Sequence, residues 1–196
     1  MKLTKTLAVL AFICCLAFAN NSQAQTKFNP KVGIESWSIK DEAELTGSSN
    51  HSGQTIGFDV FVIDNRFLFV PGFHYHRVSI LNEEESIKFE IPQRNGTHYF
   101  SIPVTFGMQL LDLPGIDLNV MAGGEVTFFH SLDDNDINLD DDKLKGVFAG
   151  LTGTAQVELF NIVTLDAKYH HNFHPVFKER PDSKLSGWTL AAGIKF

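Results

Sequence analysis

From Lys31 to the C-terminus, apolar and polar residues alternate in eight runs, joined by connectors that are in turn long and very short. Between Tyr99 and Leu110, the residues Phe100, Ile102, Val104, Phe106, Met108 and Leu110 interleave with Tyr99, Ser101, Thr105, Gly107 and Gln109. Successive strand side chains point to opposite faces, so one face of this segment is apolar and the other wettable. A half-buried strand of a soluble protein reads the same way. Recurrence over eight runs with an alternating loop rhythm does not. It predicts an all-β fold, an eight-stranded antiparallel up-and-down transmembrane β-barrel with lipid against the apolar face.

The expected strands are Val32 to Lys40, Thr55 to Ile63, Arg66 to Ile80, Tyr99 to Leu110, Ile116 to His130, Gly146 to Leu159, a seventh opening at Val163, and an eighth closing at Phe196. In the first, Val32 and Ile34 oppose Trp37 and Ile39, which leaves its register ambiguous. Pro71 and Pro103 each remove a ladder hydrogen bond and predict local bulges. Asp64-Asn65, Asp112-Leu-Pro-Gly115 and Phe160-Asn161 read as tight hairpin turns. The other four connectors, Asp41 to Gly53, Asn82 to Gly96, Asp133 to Lys145 and Pro175 to Leu185, are each about a dozen residues. Short periplasmic turns and long external loops are the rhythm of outer-membrane barrels, and an even strand count puts both termini in the periplasm.

The first 24 residues change the picture only in where the chain is sent. Lys2 and Lys5, the apolar stretch Leu7 to Phe18 and the small-x-small site Ser22-Gln-Ala24 predict a secretory signal peptide over 1–24, leaving the barrel domain as 25–196. Cys14 and Cys15, the only cysteines, fall inside it, so the mature chain is expected to have neither disulfide nor thiolate site. Loss of the two lysines leaves 14 basic against 23 acidic residues, a net charge of −9. With no basic patch, nucleic acid is not an expected partner.

Chemistry is sparse. Asp59, Glu125, Glu158, Asp166, Lys168, His170 and Lys195 fall on the inward face of a barrel just wide enough for side chains to fill. Buried charge must be paired, so Glu125, Asp166, Lys168 and Lys195 are read as an interior polar network. Asp166 is expected to meet Lys195, and Glu125 to meet Lys168 across the lumen. His74 with His76, and His170 with His174, share strand faces and are weak candidates for a metal; no metal site and no cofactor is assigned. The run Asp133 to Asp142 resembles a calcium loop but places Leu139 and Lys145 where glycine and glutamate are needed. His130 and Ser131, with Asp133 nearby, are the only candidate nucleophile set. Strand alternation would turn the two apart, so no catalytic residue is assigned and no enzyme is expected.

The segment Tyr99-Phe-Ser-Ile-Pro-Val-Thr-Phe-Gly-Met108, the glycine-punctuated Val120-Met-Ala-Gly-Gly-Glu125 and the closing Ala191-Ala-Gly-Ile-Lys-Phe196 resemble the PorT-like outer-membrane β-barrel domain family. The resemblance implies the barrel, its place in the outer membrane and, for one branch of the family, an accessory role in protein secretion. The terminal Phe196 resembles the signal read by the barrel assembly machinery. The four long loops carry 15 of the 23 acids against seven bases, so most of the net charge is external. The expected role is therefore non-enzymatic, with outer-membrane lipid or an envelope protein as partners of the loops. The alternatives are a secretion accessory, a lipid-modifying hydrolase and a soluble periplasmic lipocalin-like binder.

Overall fold

The computed structural model describes residues 25–40, 49–79, 96–132, 146–175 and 184–196. These form eight strands: β1 (Gln25–Lys40), β2 (Ser49–Asp64), β3 (Phe67–Ser79), β4 (Gly96–Leu113), β5 (Ile116–Leu132), β6 (Val147–Leu159), β7 (Val163–Pro175) and β8 (Lys184–Ile194). Each strand pairs antiparallel with the next, and β1 closes on β8 from Lys31 opposite Gly193 to Lys40 opposite Lys184. Closure leaves no unpaired edge, the condition a sheet must meet to sit in hydrocarbon. The proposed signal segment and most of the four long connectors, with the acidic run from Asp133, lie outside the described residues.

Strands that need only about ten residues to cross a bilayer run here to as many as 18. The surplus explains where the sequence reading stopped short. Ser49 to Gly53, placed in a loop by their polarity, extend β2 and pair with β1 as far as Ile39 opposite Ser49. Gln25 to Lys31 likewise extend β1, and the register of that strand is settled by its pairs, with Val32 opposite Ile56 and Trp37 opposite His51.

Inside and outside are inverted relative to a soluble barrel. Val32, Ile56, Phe106, Leu151 and Leu190 face outward and are more than half exposed, whereas Asp59, Glu125, Gln156 and Lys168 are buried. A lipocalin-like binder has the opposite arrangement. Aromatic residues concentrate outside. Near the short turns lie Phe67, Phe160 and Phe196, and toward the long loops lie Tyr169, Phe173 and Trp188. A chain of ring contacts, Phe196–Phe28–Phe58–Phe73–Phe100, crosses the wall diagonally with centroid separations of 5.8, 5.1, 6.2 and 5.6 Å.

The two prolines do not make bulges. Pro71 sits opposite Val104, the β3–β4 register is unchanged at His74 opposite Ser101, and the ladder simply skips the positions between. Because Pro71 and Pro103 are neighbours across the same strand pair, their missing donors fall in one place. The bulges lie elsewhere: Leu110 is the extra residue of β4 and His130 that of β5. A bulge sets two residues against one, and this one leaves both Leu110 and Leu111 exposed to the outside. In the β6–β7 turn, Phe160 and Asn161 have φ of 53° and 59°, the positive pair of a type I′ hairpin.

Candidate functional site

The lumen is packed with polar side chains, most of them bonded to one another, in three storeys between the short turns and the long loops. Glu125 Oε2, Glu158 Oε1, Thr152 Oγ1 and Asn172 Nδ2 are buried without a hydrogen-bond partner among the described residues. At the bottom, Lys195 Nζ–H donates to Glu158, Lys27 stands 3.8 Å from the same carboxylate, and the Lys195 ammonium lies 4.8 Å from the centre of the Phe61 ring. Above it, Lys31 bridges Asp166 and Asp59, the latter at 2.5 Å. Gln156 Nε2–H donates to Asp166 Oδ1 (2.8 Å) and Asn119 Nδ2–H donates to Gln156 Oε1 (3.2 Å). His74 Nε2–H donates to Asp59 Oδ1 (2.9 Å), and Lys168 Nζ–H donates to His74 Nδ1 (3.4 Å).

The top storey holds two carboxylates and two imidazoles. Glu35 Oε1 accepts from His76 Nδ1–H (2.7 Å) and from the Thr189 hydroxyl (3.2 Å), while Oε2 accepts from Trp37 Nε1–H (2.8 Å). His170 Nδ1–H donates to Glu125 Oε1 (3.0 Å), and its Nε2 lies 3.0 Å from Thr189 Oγ1. An apolar cap of Trp37, Val78, Phe148 and Leu185, with Tyr99 and Phe129 against it, covers this storey. A second apolar cluster, Phe61, Leu68, Val70 and Met121, lines the inner wall toward the short turns. Two small cavities of about 10 Å³ lie among the described residues, one beside His74 and His170 and one beneath the cap at Glu125. Each has room for about one water.

Among the residues singled out from the sequence, Glu125, Asp166, Lys168 and Lys195 are all buried in the lumen, but their pairing differs. Asp166 lies opposite Ala191, whereas Lys195 follows the end of β8, four residues nearer the short turns. Lys195 therefore takes Glu158, and Asp166 takes Lys31. Glu125 is bonded by His170 and not by Lys168, whose charge reaches it without a bond. The residues missed are Lys31 and Glu35 of β1. Carrying the period of two through the whole strand, on both sides of Val32, would have found them, since Asn29, Lys31, Glu35 and Trp37 share the buried face.

The histidines do not gather round a metal. His76 and His170 turn their nitrogens to carboxylates and hydroxyls, His74 turns its own to Asp59 and the Lys168 ammonium, and no set of three or more His, Cys, Asp or Glu among the described residues is arranged to hold an ion. The side chain of His174 lies outside the described part.

His130 and Ser131 require a correction. His98 pairs with Ser131 and Tyr99 with Phe129, so His130 is the inserted residue of the bulge. Its ring contacts Phe100 at 5.1 Å on the outer wall. Ser131 shares the face of its partner His98, as directly opposed residues do, and the His98 ring stacks on outward-facing Tyr75 at 5.8 Å. The bulge thus puts His130 and Ser131 on the same, outer side, where unbroken alternation would have separated them.

No protein-family model matches the chain, and no curated protein matches it. Solved structures do. Neisserial surface protein A is 14% identical with a TM-score of 0.55, over 86% of this chain and 97% of that one. The outer membrane enzyme PagL is 13% identical with a TM-score of 0.52, over 86% and 98%. Ail, the attachment invasion locus protein of Yersinia pestis, is 15% identical with a TM-score of 0.48, over 88% and 99%. The first two share the fold of this chain, a closed eight-stranded antiparallel β-barrel.

Proposed function

We propose that this is a small outer-membrane protein, both termini in the periplasm, that works without catalysis through its external loops. The observation that carries the reading is the filled lumen. Every interior carboxylate among the described residues is bonded to a cation or an imidazole, and the two cavities between them have room for about one water each. Neither an open pore nor a ligand cavity fits inside such a barrel. What is left to act is the loop crown, whose 15 acids against seven bases would be repelled by lipid phosphate unless divalent cations bridge the two. The same acids suit a basic surface on an envelope partner. An accessory role in secretion, suggested by the PorT-like resemblance, is one form of this reading. Insertion would follow recognition of Phe196 by the barrel assembly machinery.

Two measurements test it. The protein should fractionate with the outer membrane and migrate differently on a gel before and after boiling; recovery in the soluble periplasm would sink the placement. Replacing the six acids between Asp133 and Asp142 by Asn and Ser should leave assembly intact while abolishing cation-dependent binding to vesicles that contain anionic lipid. A second reading is favoured by one observation, the bulge that brings His130 and Ser131 to the same outer side. If the loop variant binds as before, and acyl release from outer-membrane lipid disappears with Ser131→Ala, the protein is a lipid hydrolase.

A further inference from the structure

On the outer wall of β3, the outward residues are apolar or aromatic from Phe67 to Tyr75, nine positions along the strand. A strand crosses the hydrocarbon in about that length, and the next outward residue is Arg77. On β4 and β5 the outward apolar run likewise ends toward the long loops, at Phe100 and Phe128, and the next residues on that side are His98 and His130. The three strands stop at one level, because Tyr75 lies opposite Phe100, and Phe100 opposite Phe128. One step beyond, Arg77 lies opposite His98 and His98 opposite Ser131, so a row of hydrogen-bonding side chains crosses three strands.

The row is tied together locally. The His98 ring stacks on Tyr75 at 5.8 Å, and its Nδ1 is hydrogen-bonded to the Tyr75 hydroxyl. The bulge sets the His130 ring edge-on to Phe100 at 5.1 Å, which brings a second imidazole to the patch. Arg77, His98 and Ser131 are half-buried and His130 is exposed, so the patch is reachable from the outer leaflet. Its charge is one-sided. Of the described carboxylates, Glu35, Asp59, Glu125, Glu158 and Asp166 face the lumen, while Asp64, Asp112 and Asp117 lie by the short turns at the far end.

We propose that Arg77, His98, His130 and Ser131 form a site on the outer wall that holds the phosphate of an outer-leaflet lipid directly, with no metal ion between. Lipid headgroups begin at the level of an aromatic belt, and this row lies one step outside it. A guanidinium presents phosphate with a planar fork of donors, and its five N–H groups suffice to bind one beside other contacts. The imidazoles and the Ser131 hydroxyl serve the remaining oxygens, and the acyl chains run down past Phe73 and Phe100, whose rings stack at 5.6 Å. This inference rests on the outer-membrane placement proposed above and not on the acidic loops.

The test is a titration of the folded protein in maltoside micelles, which carry no phosphate, with EDTA present. Phosphatidic acid and diacylglycerol are the probes, since they differ only in the phosphate group. Phosphatidic acid should bind saturably and diacylglycerol should not. Arg77→Gln should weaken binding about tenfold or more, the scale of a hydrogen bond to a charged group, and His98→Gln with His130→Gln should weaken it too. Arg66→Gln, at the short-turn end, should leave it as it was. Unchanged affinity in either of the first two variants overturns the proposal, as do equal losses in Arg77→Gln and Arg66→Gln, the mark of diffuse attraction between charges. Binding that vanishes with EDTA would assign the contact to loop acids and bridging cations, and displacement by millimolar inorganic phosphate would make this a site for the free anion; both overturn it. Gel mobility before and after boiling confirms that each variant is folded. A failure of the outer-membrane placement shows separately, in fractionation.

Discussion

Replacing Lys31 by methionine is expected to be among the most damaging single changes in this protein, costing about 3–5 kcal/mol, the range for breaking a buried ion pair from one side. The reason lies in what it leaves behind. Lys31 is the one cation in contact with both Asp59 and Asp166. Without it, Asp166 keeps only neutral donors such as Gln156, and Asp59 keeps only the His74 ring. Replacing Asp166 by asparagine at the same time removes the stranded charge, so the double variant should be more stable than Lys31→Met alone. Urea unfolding in vesicles, read by gel mobility, separates the two outcomes. Equal losses in the single and double variants would mean that charge pairing is not what Lys31 supplies.

The second large effect is on the outer wall. Val104 is 38% exposed at a position opposite Pro71 and Gly124, far from both rims of β4, while the adjacent Thr105 is 5% exposed. Val104→Arg should cost about 2–4 kcal/mol, the penalty for a cation near the bilayer midplane, with Val120→Arg as a parallel case on β5. Thr105→Arg or Asn119→Arg points inward instead, and should act by crowding a full lumen. Chemical labelling distinguishes them: a cysteine at 104 should be shielded by lipid and resist water-soluble reagents. If Val104→Arg assembles with wild-type stability and that site labels from water, the assignment of inner and outer faces is wrong.

The wall was legible in the sequence because lipid imposes a strict period of two, and each of the eight strands was found close to its place. The failures come where that imposition lapses. Ser49 to Gly53 carry no alternation and yet pair with β1. Val60-Phe-Val-Ile63 is apolar on both faces because Phe61 turns inward to pack with Leu68, Val70 and Met121, a small core that alternation cannot announce. The bulges at Leu110 and His130 reset the period by one residue, and no residue type marks them as the prolines seemed to mark theirs. Which interior residues exist follows from parity; who meets whom depends on strand stagger round a closed ring. That is why Asp166 was matched to Lys195 on the next strand when its partner is Lys31, across the seam.

That seam has a kinetic meaning. Each storey relies on a residue of β1: Lys27 below, Lys31 in the middle, Glu35 above. The bonds they make span most of the chain, 135 residues from Asn29 to Thr164 and from Lys31 to Asp166, and 154 from Glu35 to Thr189. Contacts so distant in sequence form late, since the chain between them must first be ordered. Lys31 and Asp59 lie on paired neighbours β1 and β2, but until β1 docks on β8, Asp166 of β7 is without its cation, a state water tolerates and hydrocarbon rejects. The interior chemistry thereby orders the assembly. A half-made ribbon is kept at the wet surface, and zipping the first strand to the last is the event that makes the whole able to sink into lipid.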